Sequence, residues 1–245
     1  MNIRTLELKS TAADGTPLIS YVALPATATA DNPVCGILVA PEWWGMVEHP
    51  KAVTERLASL GFAAVAMDVY GDGKLTTDAA KAGEWMTAAL ADQDALMARC
   101  GVILADFANL PEVDSTKLGV VGYCFGGKIA LDMARTGLPV KAVATFHGNP
   151  SPIRPATDEF AAKVLFAHGG ADSMVSLAAV DGLRAELDAV GADYVIDIYD
   201  NAKHGFSNPA ADQRAIDNGV DLGYNEAAAT ASWDKMVDFM KQNLA

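Results

Sequence analysis

Two patterns of hydrophobic and polar residues alternate along the chain. The first two apolar segments, Ile3–Leu8 and Leu18–Leu24, have a period of two, which is typical of strands with one buried face. The turn sequence Asp14-Gly15 joins them, so together they predict an antiparallel hairpin. Later segments are almost continuously apolar, as expected of strands that are buried on both faces. There are six of these: Cys35–Ala40, Phe62–Asp68, Leu118–Gly122, Val140–Phe146, Val164–His168 and Tyr194–Tyr199.

Helical patterns separate these strands. They cover Lys51–Leu60, Thr77–Leu110, Gly126–Arg135, Leu177–Val190 and Glu226–Asn243. Strands that alternate with helices predict right-handed crossovers and a mostly parallel sheet. We therefore predict a single α/β domain over residues 1–245 with an eight-stranded, mostly parallel sheet. The proline-rich stretch between Phe146 and Val164 predicts a loop and not a cap domain, so a site beside it is expected to be open.

Composition and charge exclude several classes of protein. Hydrophobic residues make up 51% of the chain and charged residues 20%, which is the balance of a soluble globular protein. The net charge of -13 argues against nucleic-acid binding, because phosphate contacts need clustered Lys and Arg. No secretory signal or membrane-spanning apolar segment is visible, and the three cysteines cannot all pair with one another. We expect a cytoplasmic protein with free thiols that does not bind membranes.

The strongest chemical signal is the sequence Gly122-Tyr123-Cys124-Phe125-Gly126. A strand precedes it and a helix follows it, which is the nucleophile-elbow pattern G-x-S-x-G with cysteine in place of serine. The turn places the sulfur at a helix N-terminus, where backbone N–H groups favour an anion. We predict that Cys124 is a nucleophile and that the N–H of Phe125 faces the developing oxyanion. The alternative is that Cys124 is a buried packing residue.

The residues that would complete a triad follow in the chain order acid, then base. Asp172 follows an apolar strand and a glycine turn, although it could instead be a helix cap or turn residue. His204 lies in the loop after the last strand. A thiol is mostly protonated at neutral pH, so His204 would take its proton and later protonate the leaving group. Asp172 would orient the imidazole. Esters and lactones are the expected substrates.

The loop after the third strand is expected to form the other side of the site. The N–H of Trp43 is the second candidate oxyanion donor, and Trp44 is a candidate pocket residue. Glu42 could hold the thiol neutral until substrate displaces it, or it could be an exposed carboxylate or part of a salt bridge. The other pocket candidates are Tyr123, His147 and Phe206, with a structural role for His147 left open.

The remaining histidines and cysteines show no paired spacing for a metal site, so we expect neither a metal nor another cofactor. His49 is interpreted as a helix-start residue and His168 as a turn residue. Cys35 and Cys100 fall in strand and helix patterns and are interpreted as core residues.

Taken together, these motifs resemble the dienelactone hydrolase family (carboxymethylenebutenolidases) over nearly the whole chain. The matching segments are Pro41-Glu42 with Gly45, Arg56–Phe62, Asp68–Gly71, Gly122–Gly127, His168–Asp172, His204-Gly205-Phe206, and a last helix with Ala228 and Trp233. The resemblance implies an α/β-hydrolase fold and a triad of Cys124, His204 and Asp172. It also implies that Glu42 contacts the resting thiol and that no cofactor is needed. The family's characterised members open the lactone ring of dienelactones.

One departure from the family concerns the substrate. The dienelactone-cleaving members hold the substrate carboxylate with arginines, one before the elbow and one shortly after the catalytic histidine. Here the stretch Asp68–Glu84 has only Lys74 and Lys81 as cations, and no arginine follows His204 before Arg214. We therefore expect a carboxylesterase or lactonase with an altered substrate choice. It would act on a small molecule, as a monomer or small homo-oligomer.

Two other functions stay open at this point. The chain could be a non-catalytic protein of the same fold that binds a small ligand, although such proteins usually lose a triad member. Cys124 could also be a redox residue, but no resolving cysteine lies near it in the sequence.

Overall fold

A computed structural model describes residues 2–245 and contains eight strands and seven helices in that range. The strands are β1 (Ile3–Thr11), β2 (Pro17–Pro25), β3 (Val34–Ala40), β4 (Ala63–Ala66), β5 (Val113–Tyr123), β6 (Ala142–Phe146), β7 (Lys163–Gly169) and β8 (Tyr194–Tyr199). The helices are α1 (Glu48–Ser59), α2 (Ala79–Ala91), α3 (Gln93–Ala108), α4 (Phe125–Arg135), α5 (Leu177–Ala189), α6 (Ala211–Asn218) and α7 (Glu226–Leu244).

The strands form one sheet in the order β1-β2-β4-β3-β5-β6-β7-β8. β1 and β2 are antiparallel, with Ile3 opposite Pro25 and Thr11 opposite Pro17. β2 also pairs antiparallel with β4, whereas β3 with β4, β6 with β7, and β7 with β8 are parallel. The predicted eight-stranded, mostly parallel sheet with an antiparallel N-terminal hairpin is confirmed.

The chain folds into two compact units. The first contains the described residues up to Val120 together with Leu244 and Ala245, and the second contains Val121–Asn243. The first unit therefore holds β1 to β4, most of β5 and α1 to α3. The second holds the end of β5, β6 to β8, α4 to α6 and most of α7. The assignment of residues 1–245 to a single domain stays a prediction.

The central strands are buried because their sequences carry almost no polar residues. Every residue of β4 and every residue of β6 is buried. The edge strand β8 is different, since all of its residues are exposed or half-buried, so the prediction that it is buried on both faces was wrong. Each unit has its own apolar core. The largest fully buried side chains include Leu38, Leu57 and Phe107 in the first unit and Phe146, Phe166 and Phe206 in the second.

The prediction of one long helix over Thr77–Leu110 was wrong, because the chain breaks at Asp92 into α2 and α3. Asp92 has a non-helical backbone (φ -128°, ψ 81°), and its carboxylate accepts a hydrogen bond from the N–H of Ala95 at 2.9 Å. Asp is a favoured N-cap residue because it satisfies such a free N–H. The helix α3 therefore begins directly after Asp92, which caps its N-terminus.

Two other elements differ from the prediction. α6 was missed because Ala211–Asn218 is mostly polar and has no apolar stripe. It ends at Gly219, which has a left-handed backbone (φ 65°). β5 starts five residues earlier than predicted, at Val113, where the polar sequence Asp114–Lys117 hides the strand pattern.

The segment between β6 and β7 forms no helix or strand in this described part of the chain, as its prolines predicted. Among residues 2–245, none of the helices is both long and apolar enough to cross a membrane.

Candidate active site

The turn between β5 and α4 has the strained geometry that the elbow pattern predicts. Cys124 has a positive φ (54°, with ψ -113°), which non-glycine residues rarely adopt. Its N–H donates to the carbonyl oxygen of Phe146 at 3.0 Å, which attaches the turn to the end of β6. Cys124 is half-buried. The role of Cys124 as a nucleophile and not a packing residue stays a prediction.

The glycines around Cys124 are required by close backbone contacts. A Cβ on Gly127 would lie 2.7 Å from the Cα of Gly148 and 2.4 Å from the Oγ1 of Thr145. These are distances that real Cβ atoms do not show, so α4 can lie directly against the chain that follows β6 only because both positions are glycine.

The structure brings His204 and Asp172 together. The Nδ1 of His204 donates to the Oδ2 of Asp172 at 2.8 Å, and both side chains are buried. Asp172 also makes a local turn, because its Oδ1 accepts from the N–H of Met174 at 2.8 Å and of Val175 at 2.9 Å. Asp172 therefore binds the imidazole with one oxygen and forms a local turn with the other. The hydrogen bonds lower the pKa of Asp172 although burial raises it, so the carboxylate is charged at neutral pH.

The other ring nitrogen of His204, Nε2, is buried and makes no hydrogen bond of normal geometry to any residue in 2–245. The Cys124 sulfur nevertheless affects the pKa of this ring. Burial lowers the pKa of His204, but the charge of the Cys124 sulfur and the hydrogen bond to Asp172 raise it more, to about 10. The imidazole thus lies between the Asp172 carboxylate and the Cys124 sulfur, and both raise its pKa.

His147 packs against the His204 ring, and Phe206 packs against His147. His147 is fully buried, and its ring centroid lies 5.0 Å from that of His204. Its Nε2 is 2.8 Å from the Oγ of Ser207. Ser207 was missed by the sequence analysis, since no local pattern marks its pairing with a residue 60 positions away. Tyr123 is also buried and stacks on Phe146 with ring centroids 4.7 Å apart.

In the first unit, Glu42 is buried (4% exposed) and its Oε2 lies 3.8 Å from the Nδ1 of His49. The alternative of an exposed carboxylate is therefore wrong, whereas an ion pair forms whenever His49 is protonated. The carbonyl oxygen of Trp43 accepts a hydrogen bond from the Tyr70 hydroxyl at 3.1 Å. Trp44 is 1% exposed and packs edge-on against Trp43, with ring centroids 4.9 Å apart.

The interpretation of His168 as a turn residue was wrong. His168 lies inside β7, is fully buried, and makes no hydrogen bond of normal geometry within the described residues. Burial lowers its pKa, which the nearby charge of Asp172 only partly offsets. Burial therefore favours the neutral form of the His168 imidazole.

A buried network of ion pairs and hydrogen bonds connects the loop after β6 to α4, the helix that follows Cys124. Asp132 in α4 accepts from Lys128 at 2.8 Å and from Arg135 at 3.1 Å. Arg135 also pairs with Glu186 of α5 and donates to the carbonyl oxygen of Pro150. This network has no signal in the sequence, because charged residues on a helix usually face solvent.

No group of three His, Cys, Asp or Glu side chains within residues 2–245 is arranged to hold a metal ion.

Comparison with known proteins agrees with this architecture. The model of the dienelactone hydrolase family matches residues 19–244. A candidate carboxymethylenebutenolidase of Yersinia pestis is 28% identical over 244 residues, which cover 94% of this chain and 86% of that protein.

Two solved structures are similar over their whole length. A dienelactone hydrolase-like promiscuous phosphotriesterase from metagenomic libraries is 29% identical, with a TM-score of 0.91 and 100% of both chains covered. A structure designated m3DLH is 30% identical, with a TM-score of 0.92 and 99% of both chains covered. The chain is a hydrolase of the dienelactone hydrolase family and has that family's α/β-hydrolase fold.

Proposed function

We propose that this hydrolase cleaves carboxylic esters or lactones with Cys124 as its nucleophile. One observation carries the proposal. The His204 imidazole is bound at Nδ1 by the Asp172 carboxylate, and its pKa is raised by the charge of the Cys124 sulfur. A half-buried sulfur at a helix N-terminus, next to a base held by a carboxylate, is the arrangement that nucleophilic catalysis requires.

The reaction would proceed in two steps. His204 takes the proton of the Cys124 thiol, the sulfur attacks the ester carbonyl, an S–C bond forms, and the carbonyl oxygen becomes an oxyanion. As the C–O bond breaks, His204 gives its proton from Nε2 to the leaving alkoxide and leaves an acyl-thioester. Water then attacks the thioester and His204 takes one of its protons. The tetrahedral adduct collapses to a carboxylic acid as the S–C bond breaks, and the proton on His204 returns to the sulfur, which restores the resting thiol.

The oxyanion would be bound by backbone donors. Phe125 is the first residue of α4, so its N–H points out of the helix N-terminus, where the helix dipole favours negative charge. The N–H of Trp43 is the proposed second donor, because the loop after the third strand supplies it in hydrolases of this fold. Two such donors stabilise charge that develops only in the transition state.

Glu42 is proposed to contact the resting thiol, as the family resemblance implies. Its burial supports this role, because a carboxylate that is only 4% exposed is held in a fixed place. The Glu42→Gln variant should change how the alkylation rate of Cys124 depends on pH while leaving the fold intact. An alkylation profile identical to that of the wild type would count against this role.

The expected substrate is a small ester or lactone, bound against Trp44, Tyr123, His147 and Phe206. The two stretches in which the family carries arginines lack them here, since Asp68–Glu84 has only lysines as cations and no arginine follows His204 before Arg214. A substrate with a free carboxylate, such as dienelactone, is therefore expected to bind weakly. We also expect a cytoplasmic protein without a cofactor.

A burst experiment with a p-nitrophenyl ester tests the proposal. The wild type should release one equivalent of p-nitrophenol rapidly and then turn over, and Cys124→Ala should do neither. Cys35→Ala is the matched control, because the Cys35 thiol is half-buried and donates to the carbonyl oxygen of Leu244 at 3.1 Å. Full activity in Cys124→Ala would overturn the assignment. The absence of any burst in the wild type would favour the non-catalytic ligand-binding alternative.

Substrate choice is then measured with a library of lactones, short-chain esters, dienelactone and one phosphotriester, the last because a similar protein is a promiscuous phosphotriesterase. Lactones or neutral esters should give the highest kcat/KM. A clear preference for dienelactone would contradict the substrate proposal without affecting the nucleophile.

A further inference from the structure

His147 has an unusual backbone for its position. It follows β6 directly, is fully buried, and has a φ of 43°. A non-glycine residue at positive φ costs free energy, and such residues cluster at functional sites, where the surrounding structure holds them in place. Its N–H donates to the carbonyl oxygen of Ala167 at 2.8 Å, and the carbonyl of the preceding Phe146 accepts from Cys124. The strained segment at His147 therefore connects the turn at Cys124 to β7.

The side chain of His147 extends from this segment to the loop that carries the base. Its Nε2 lies 2.8 Å from the Oγ of Ser207, three residues after His204. Its ring packs edge to face against His204, at an interplanar angle of 61°, and against Phe206, at 79°. One side chain thus contacts the base directly and also holds its loop by a hydrogen bond.

We propose that His147, through Ser207, is a positioning residue that keeps the His204 ring aimed at Cys124. This inference rests on the proposed function. The bond from Asp172 fixes Nδ1 of His204 but leaves the ring free to turn about that contact. Packing against the ring face, together with the tether at Ser207, removes this freedom and holds Nε2 in place. His147 is proposed to act on the base and not on the substrate.

The expected effect is kinetic. Displacing a catalytic group by about 1 Å can cost on the order of 100-fold in rate. Ser207→Ala should therefore lower kcat by about 10- to 100-fold and leave KM nearly unchanged, and Ser207→Thr, which keeps the hydroxyl, should restore most of the rate. His147→Gln, which keeps a hydrogen-bonding group but loses the ring, should also lower kcat.

A second readout needs no substrate. The ultraviolet absorbance of the Cys124 thiolate, followed against pH, reports how well His204 is placed to stabilise it. Ser207→Ala and His147→Gln should both shift this titration, whereas Ser232→Ala should not. Ser232 is a suitable control because it is also buried, and its hydroxyl bonds within α7 to the carbonyl oxygen of Ala229. Thermal melting of each variant shows that it is folded.

The outcomes separate this inference from the proposed function. If Ser207→Ala keeps the wild-type kcat and the wild-type thiolate titration, the positioning role is overturned, while ester hydrolysis stands as long as Cys124→Ala is inactive. If the wild type shows no Cys124-dependent turnover, the proposed function fails and the thiolate titration alone decides the role of His147. If His147→Gln does not fold, the alanine and threonine variants at Ser207 decide it.

Discussion

The backbone of Gly122 lies directly against the carbonyl oxygen of Gly126. A Cβ on Gly122 would lie 2.0 Å from that oxygen and 2.4 Å from its carbon. The contact spans the whole turn, from the end of β5 into the first turn of α4. Any side chain at Gly122 would therefore push the helix away from the strand and move Cys124 with it.

Gly122→Ala should consequently lower the free energy of unfolding by about 3 kcal/mol or more, the upper range of overpacking, because backbone atoms cannot give way as a flexible side chain can. The matched control is Gly182→Ala in α5, where an added Cβ meets nothing within 4 Å. That change should stabilise the protein by up to about 1 kcal/mol, the helix-propensity difference. Urea denaturation of the two variants checks the pair, and equal midpoints would contradict the close contact.

Asp172→Asn should lower kcat by about three to four orders of magnitude, because the asparagine amide cannot stabilise the imidazolium and favours the wrong tautomer. The pKa of His204 should fall below its value of about 10, since the Asp172 carboxylate helps to raise it. Single-turnover kinetics and the NMR titration of His204 measure the two effects.

Asp221→Asn is the control for that substitution. Asp221 is an exposed aspartate bonded to Ser173 and Lys203. A loss of less than tenfold in Asp172→Asn, or an equal loss in the control, would argue against the role of Asp172.

Asp132→Ala should destabilise the protein by about 3 to 5 kcal/mol, because it leaves the charges of Lys128 and Arg135 buried without their shared partner. Glu84→Ala removes the partner of Lys81 from a pair with the same 2.8 Å separation, but both of those side chains are exposed. It should leave the urea midpoint almost unchanged. Similar losses of stability in the two variants would show that burial does not determine how much the Asp132 network contributes to stability.

Because of His168, the free energy of unfolding should depend on pH and should decrease as the solution becomes more acidic. Burial lowers its pKa below 6.5 in the folded protein, so the unfolded chain binds a proton at a pH where the folded chain does not. The free energy of unfolding should therefore fall as the pH falls below about 6.5, the ordinary histidine value. His168→Leu should remove part of this slope. Chemical denaturation between pH 5 and 7.5 measures it, and parallel curves for the two proteins would contradict the assignment.

Elements with a strong local pattern could be predicted from the sequence. All eight strands were found, and the five predicted helical patterns cover six of the seven helices in residues 2–245, because apolar periodicity follows directly from burial. The break at Asp92 was missed because a polar cap inside a long helical pattern does not disturb the apolar period. α6 was missed because Ala211–Asn218 buries almost nothing and so has no apolar stripe.

The sequence by itself determined the glycine-flanked turn at Cys124 and the chain order of Cys124, Asp172 and His204. These features are local, since glycines at fixed spacing and a strand followed by a helix are imposed by the sterics of a few neighbouring residues. Only the tertiary structure decided that His147 meets Ser207 and that Asp132 holds two buried cations. Such contacts join residues far apart in the chain or depend on which helix face is covered, and both follow from strand order and loop path. No short stretch of sequence contains that information.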